Sequence, residues 1–314
     1  MKPLTIFVLA LLITPAVLAR QQDVFRVEGR GILVDVSVRD DRKVVTGLTV
    51  SDFEVLDNGV TQQVLDASVE SLPIDASVLL DVSESARFKF GQSLGNAATR
   101  IQDFFKPDDH ADVLLVSARI IDAQAWDGRA LGSWSAGALL GDRGTSLFDG
   151  LVSALVRPTL PGYRRVVVAL TDGIDTSSFV APATRNAIVD RSDAVIQIVG
   201  VGFVASGYRS TRNTNLSATG RSALNDEVAA LIGTDYGRVL STIAQRSGGH
   251  FFDLQSSTRF VDAIGASIQD FRERYLLRYV PTGVDPSGWH TLTIRVKGKK
   301  YQVDARRGYA GLFN

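Results

Sequence analysis

The chain contains no cysteine. That excludes disulfides, thiolate metal sites, cysteine nucleophiles and lipid attachment through an N-terminal cysteine. Histidine is scarce: His110, His250 and His290 lie far apart, and no Ser–His–Asp arrangement is visible around them. Net charge is absent too, with 34 basic residues against 34 acidic ones. No basic field exists to hold nucleic acid or an anionic membrane surface. Long apolar runs are missing beyond the N-terminus, so no second stretch could span a membrane. The one apolar run covers residues 3–18, follows Lys2 and ends in Ala16-Val17-Leu18-Ala19. It reads as an export signal cut after about Ala19. The alternative is an uncleaved anchor, but the run is shorter than the roughly 20 residues a spanning helix needs. The mature protein is expected to be periplasmic or secreted, with no membrane span after signal cleavage.

What is present is an ordinary globular composition: 314 residues, 45% hydrophobic and 22% charged, enough for one large domain or two modest ones. From residue 25 the pattern is strand-like. Residues 32–38 alternate in part, a polar turn follows at Asp40-Asp41-Arg42-Lys43, and Phe53-Glu54-Val55-Leu56 leads into a hairpin signal at Asn58-Gly59. Residues 64–69 form a further short strand. Asp40, Asp41 and Asp57 read as turn residues. From residue 75 strands and helices alternate, which argues for a parallel, doubly wound sheet. Strands are expected at 76–80, 111–116, 119–126, 165–170, 194–201 and 250–253, the third polar enough for an edge. Helices are expected at 86–105, within 128–140, and at 146–156, 182–191, 237–246 and 260–272. His110 enters its strand from the amino end and reads as a surface turn residue. Residues 206–225 are rich in Ser, Thr, Arg, Asn and Gly. They read as a loop that either overhangs a site or simply crosses the surface. The chain then returns to strands at 275–280, 290–296 and 301–305, the last pairing back on its predecessor. Front and back strands each have one apolar face and no partner. The economical solution is one β-sandwich made from both ends of the chain, with the α/β unit inserted.

Three polar pieces carry the chemistry. Asp81-Val82-Ser83-Glu84-Ser85 sits where an apolar strand turns into a helix. Gly144-Thr145-Ser146 precedes another helix. Thr171-Asp172-Gly173 directly follows the apolar strand at 166–170. In an open parallel sheet such turns lie at the carboxyl ends of strands, where ligands bind. Asp81, Ser83, Ser85, Thr145 and Asp172 are hard oxygen donors, the kind Mg²⁺ prefers. Each also has an ordinary structural reading: Asp and Ser at a helix start are N-caps, Thr145 would cap its helix, and Asp172 would cap a turn with Gly173. Asp175, in the same loop, reads as solvated.

Asp81-x-Ser83-x-Ser85, Thr145 and Asp172 together resemble the metal-ion-dependent adhesion site of the von Willebrand factor type A domain. All five positions of that motif match, and the resemblance covers about residues 75–271. The flanks resemble a bacterial, mostly acidobacterial, group of exported proteins related to this domain. Val45-Thr46-Gly47-Leu48, Asp52-Phe53-Glu54-Val55, Tyr275-Leu276-Leu277 and Arg306-Arg307-Gly308-Tyr309 carry that likeness. The resemblance implies a Rossmann-like, mostly parallel α/β sheet at residues 73–273, following a signal at 1–19, with β-domain parts at 20–72 and 274–314. It implies Mg²⁺, with Mn²⁺ able to replace it, touched by Ser83, Ser85 and Thr145. Asp81 and Asp172 would ligate it directly or through water. It also implies a protein ligand whose carboxylate completes the metal's shell. In relatives the last helix, here at 260–272, couples ligand binding to domain movement.

Three function classes follow. The first is metal-dependent protein binding, in adhesion or assembly, without catalysis. The second is a structural envelope module that keeps the motif but reads no ligand. The third is a Mg²⁺-dependent phosphoryl-transfer enzyme with a carboxylate nucleophile. Against the third, position 83 is Ser where a second acid would be needed, and no lysine sits in a comparable loop to hold a phosphate.

Overall fold

The structure is a computed structural model that describes residues 31–41, 43–69, 72–90, 94, 100–126, 144–201, 236–254 and 259–311. The expected export signal, the 128–140 helix and the 206–225 loop lie outside the described residues. Five short strands come first: β1 (Ile32–Asp40), β2 (Lys43–Val44), β3 (Phe53–Asp57), β4 (Val60–Gln62) and β5 (Val64–Val69). Asn58 and Gly59 both have positive φ, which a two-residue hairpin between β3 and β4 requires. The α/β part follows with β6 (Ile74–Asp81), α1 (Glu84–Phe90), β7 (His110–Val116), β8 (Ile120–Trp126), α2 (Leu147–Leu155) and β9 (Arg164–Thr171). It continues with α3 (Pro182–Arg191), β10 (Val195–Val201), α4 (Tyr236–Arg246), β11 (Phe251–Leu254) and α5 (Phe260–Arg272). The chain ends in β12 (Tyr275–Tyr279), β13 (Trp289–Val296), β14 (Gln302–Ala305) and β15 (Gly308–Ala310). Residues 86–105, expected as one helix, show α1 at the front and a 3₁₀ turn at Ile101–Phe104. Among the described residues, no helix is long and apolar enough to cross a membrane.

Six strands make the central sheet, in the order β11-β10-β9-β6-β7-β8. All neighbours are parallel except β7 and β8, so the polar edge strand runs backwards. Counted along the α/β part alone, the order is 3-2-1-4-5-6, that of a doubly wound fold whose order reverses between its first and fourth strands. Those two strands are β6 and β9, and every residue of both is buried. Alternate residues of β6 serve opposite faces. Ala76, Val78 and Leu80 pack with Phe90 of α1 and with Phe260, Ile264, Ile268 and Phe271 of α5. Leu79 packs on the other face with Leu147 and Leu151 of α2 and Leu240 and Ile243 of α4. Each such fully buried side chain contributes about 1.5–3 kcal/mol.

The remaining strands form two smaller sheets that each mix both ends of the chain. One has the order β14-β1-β12-β5, with β2 also on β1; the other is β15-β13-β3-β4. They share a third core containing Val34, Val36, Phe53, Val55, Tyr275, Leu277 and Val296. Two expectations are corrected here. The segment 301–305 does not pair back on its predecessor: β14 joins β1, while β13 joins β3, so the chain changes sheets at residues 297–301. Asp57 is a strand end, not a turn residue. It is fully buried, accepts hydrogen bonds from the Tyr279 and Tyr309 hydroxyls at 3.0 and 2.7 Å, and lies 2.7 Å from His290 Nδ1. That polar cluster ties β3 to three strands from the other end of the chain. His110 does begin β7 at its amino end, but its ring is paired with Asp75, at 2.8 Å.

Polar ties also join the α/β part to the small sheets. Arg164, at the start of β9, donates through Nε to Asp35 of β1 at 2.8 Å. Asp270, near the end of α5, takes bonds from Gln197 at 2.7 Å and Arg274 at 3.0 Å, and also pairs with Arg39 of β1. Burial disfavours its charge, but His250 and Arg274 together hold its carboxyl well below the usual carboxylate range. Gly248, after α4, allows a close backbone approach between the two parts. Its φ is +81°, and an added Cβ would lie 2.5 Å from the Ala305 carbonyl carbon and 2.6 Å from Arg306 N. Gly298 has a similar φ of +72° but open space around it. Gly298→Ala should therefore cost only the backbone strain, about 1–3 kcal/mol. Gly248→Ala should cost clearly more, seen as a lower urea midpoint at unchanged slope. Equal losses in the two variants would mean that no close contact exists at Gly248.

Candidate metal centre

Asp81 is the last residue of β6. Leu80 is paired with Leu170 of β9, so Thr171 lies beside Asp81 and Asp172 one step beyond. Both carboxylates thus sit at the carboxyl ends of the two strands between which the sheet order reverses, the place where open α/β sheets bind ligands. Asp81 is 1% exposed. Its Oδ1 accepts bonds from Ser83 Oγ at 2.6 Å and Ser83 N at 3.1 Å, and its Oδ2 accepts one from Thr171 Oγ1 at 2.7 Å. Ser83 Oγ lies 3.3 Å from Ser85 Oγ. These bonds turn the strand end into the start of α1 and gather three oxygen donors in one place.

Asp172 is also buried. Its Oδ1 accepts a bond from Ile174 N at 3.3 Å, while its Oδ2 is buried and accepts no hydrogen bond. Burial, and then the negative charge of Asp172, push the Asp81 carboxyl up to about 6, and the bonds from Ser83 and Thr171 offset only part of this. Two buried anions and a carboxylate oxygen that accepts no hydrogen bond are what a bound cation would relieve.

Thr145 is tied by its backbone to the loop that carries Asp172. Its N–H donates to Thr176 Oγ1 at 2.9 Å, and its carbonyl accepts from Thr176 N and Ser177 N at 2.9 and 3.0 Å. The next residue, Ser146, donates its N–H to Ser117 O, just past β7, at 2.7 Å. The Thr145 loop is thus fastened to the loops after β7 and β9, which flank β6. Gly144 must be small there, since a Cβ would lie 2.2 Å from Ser177 Oγ.

The structural reading of Thr145 as a helix cap is corrected. The N-cap of α2 is Ser146, and it makes no side-chain capping bond. The free N–H groups are capped from the β9 loop instead: Phe148 N donates to Ser178 Oγ at 3.1 Å and to Asp175 Oδ1 at 3.3 Å, and Asp149 N donates to Ser178 Oγ at 3.1 Å. Asp175 is therefore half-buried and engaged, not a free solvated carboxylate. Burial raises its carboxyl above the usual range, against the bonds it accepts from Ser178 and Phe148.

Two residues of the site escaped the sequence reading. In the sequence Thr171 stands only as a neighbour of Asp172, yet its hydroxyl holds Asp81 and its Oγ1 accepts from Gly173 N at 2.8 Å. Lys89 lies on a helix rather than a loop, and its Nζ is 3.2 Å from Asp172 Oδ2. The signal was spacing: Lys89 follows Ser85 by four residues, one helical turn on the same face.

Strand order and the reversed edge strand decide the fold. It is von Willebrand factor type A-like. No family model matches the chain, and no curated protein sequence matches it. Solved structures of similar outline include the conserved hypothetical protein BatB from Bacteroides thetaiotaomicron, at 16% identity and a TM-score of 0.40, covering 63% of this chain and 98% of that one. A von Willebrand factor type A structure from Catenulispora acidiphila has 10% identity and a TM-score of 0.47, covering 90% and 75%. The mussel byssus proximal thread matrix protein 1, described with a zinc-occupied MIDAS motif, has 17% identity and a TM-score of 0.40. It covers 67% of this chain, which spans about half of that protein (48%).

The Asp81 carboxylate with the Ser83 and Ser85 hydroxyls beside it, and the Asp172 oxygen that accepts no hydrogen bond, have the chemistry of donors to a divalent cation. The repulsion has a pH signature. The Asp81 carboxyl is raised on folding, so its contribution to stability is full below the unfolded value near 4 and is lost as pH rises through about 6. A shift of that size corresponds to about 3 kcal/mol. In EDTA, the stability of Asp81→Asn relative to the wild type should move in favour of Asn between pH 4 and pH 7. A constant gap between the two urea curves would mean that Asp81 is not strained by burial.

Proposed function

We propose that the chain is a non-enzymatic, divalent-metal-dependent protein-binding module, serving adhesion or assembly after export to the periplasm or beyond. The observation that carries this reading is the gathering of hard oxygens around two buried carboxylates at the sheet's switch point. In it, Ser83, Ser85 and Thr145 touch the metal and Asp81 and Asp172 ligate it directly or through water. Bound Mg²⁺, or Mn²⁺ in its place, would supply an open coordination position for an acidic side chain of the partner. The domain reading that accompanies it places the type A-like unit at 73–273, inserted in a β-sandwich domain made of 20–72 and 274–314, after a signal at 1–19.

Phe179 supports a protein ligand. It is 95% exposed, on the loop that supplies Asp172. Its backbone is held: Phe179 N and Val180 N donate to the two Asp149 oxygens at 2.8 and 2.9 Å. Asp149 is in the first turn of α2, so the ring stands on a loop fastened to that helix. A large aromatic presented in this way loses little freedom on binding, which favours it as an interface anchor.

The phosphoryl-transfer reading gains one feature, the ammonium of Lys89 beside Asp172. It still lacks a second acid next to Asp81, since position 83 is Ser. Hydrolysis of a phosphate ester by the wild type, lost in Asp81→Asn, would favour it.

The test is thermal unfolding of the purified protein in EDTA, then in Mg²⁺ or Mn²⁺, beside Asp81→Ala. Metal at ten times its dissociation constant should add about 1.4 kcal/mol, or roughly 2–4 °C at this size. The shift should vanish in the variant. No shift at millimolar metal would favour a structural module that reads no ligand.

A further inference from the structure

Lys89 stands on α1 with its side chain 37% exposed, and its ammonium reaches an Asp172 side chain that is wholly buried. The oxygen it reaches, Asp172 Oδ2, is the one that accepts no hydrogen bond. The 3.2 Å contact is thus a pairing of charges, without hydrogen-bond geometry. Among the described residues, it is the only ion pair made by either site carboxylate. Ser85 Oγ and Lys89 Nζ come from successive turns of one helix, so the helix that brings a hydroxyl donor also brings a positive charge.

We propose that Lys89 is a tethered cation of the centre, holding Asp172 in the metal-free protein and competing with the divalent ion for it. This rests on the metal-binding reading above. Three physical points carry it. Asp81 and Asp172 are buried with like charge, so the metal-free protein needs a positive neighbour, and among the described residues Lys89 is the one paired with them. A divalent ion on the Asp172 carboxylate would face an ammonium a few ångströms away, and that repulsion in a part-buried setting is strong. The lysine stem is flexible and already partly in water, so its head can swing out to solvent when displaced. A tethered ammonium stabilises the empty site and lowers its affinity for metal by the same interaction.

The experiment is Mn²⁺ binding, by calorimetry and by the electron paramagnetic resonance signal of free Mn²⁺, on wild type, Lys89→Met, Lys89→Gln and Lys89→Arg. Lys89→Met should bind Mn²⁺ about fivefold to tenfold tighter than wild type. Lys89→Gln should show the same gain without the apolar side chain, and covers the case of a poorly folding methionine variant. Lys89→Arg, which keeps the charge, should stay near wild type. In EDTA, Lys89→Met should unfold at a lower temperature than wild type, and saturating Mn²⁺ should close that gap. Unchanged or weaker Mn²⁺ binding in both neutral variants, with the wild type still binding, would overturn the competition and leave the metal site standing. No binding by the wild type would overturn both.

Discussion

Asp81 and Asp172 end neighbouring parallel strands, out of water and with the same charge. Hydrogen bonds from Ser83 and Thr171 stabilise the Asp81 carboxylate but do not cancel the cost, and its carboxyl is pushed up to about 6. Such a pair persists only where the surrounding structure over-determines it. Here the scaffold is the pair of strands themselves. β6 and β9 are buried along their whole length, with α1 and α5 on one face and α2 and α4 on the other. The apolar packing of that centre is large enough to hold a local electrostatic strain, and the strain gives the site its demand for positive charge.

The loop after β9 shows how little chain is needed to complete the arrangement. Asp172 comes from its first residue. Thr176 and Ser177 hold the Thr145 backbone, Asp175 and Ser178 cap α2, and Phe179 and Val180 are fastened in return by Asp149. The capping is reciprocal between a loop and a helix distant in sequence. That leaves the Thr145 hydroxyl without a capping duty. A helix capped by its own Thr145 would have spent that hydroxyl on a backbone N–H.

Much of this was legible in the sequence because it is local. Strand–helix alternation from residue 75, the apolar strands and the Asn58-Gly59 hairpin follow from short-range periodicity and turn chemistry. The oxygen donors are legible as types at spacings, and the structure puts Asp81 and Asp172 at the ends of neighbouring strands, with Ser83 bonded to Asp81. What escaped depends on reach or on distant packing. Lys89 meets Asp172 only because a long side chain crosses from the helix after β6 to the end of β9. Asp57 has the sequence of a turn, but its partners Tyr279, His290 and Tyr309 come from the opposite end of the chain. β14 carries the pattern of a hairpin partner for β13. Its place beside β1 is set by which sheet has a free edge, and local sequence does not encode that.

α5 joins the two halves of this description. At its first residue, Phe260 stacks on Phe90 of α1, with ring centroids 4.6 Å apart. α1 is the helix that carries Ser85 and Lys89. Near its other end, Asp270 is held by Gln197, His250 and Arg274, and by Arg39 of β1, while Arg274 leads directly into β12. The helix is therefore packed by rings against the site's own helix at one end and clamped by charges to the small sheets at the other. Ring stacking tolerates sliding, whereas a buried ion cluster does not, because any separation leaves Asp270 unpaired at low dielectric. The helix that carries Ser85 and Lys89 is thus linked to the small sheets through α5, by ring packing at one end and by buried charge at the other.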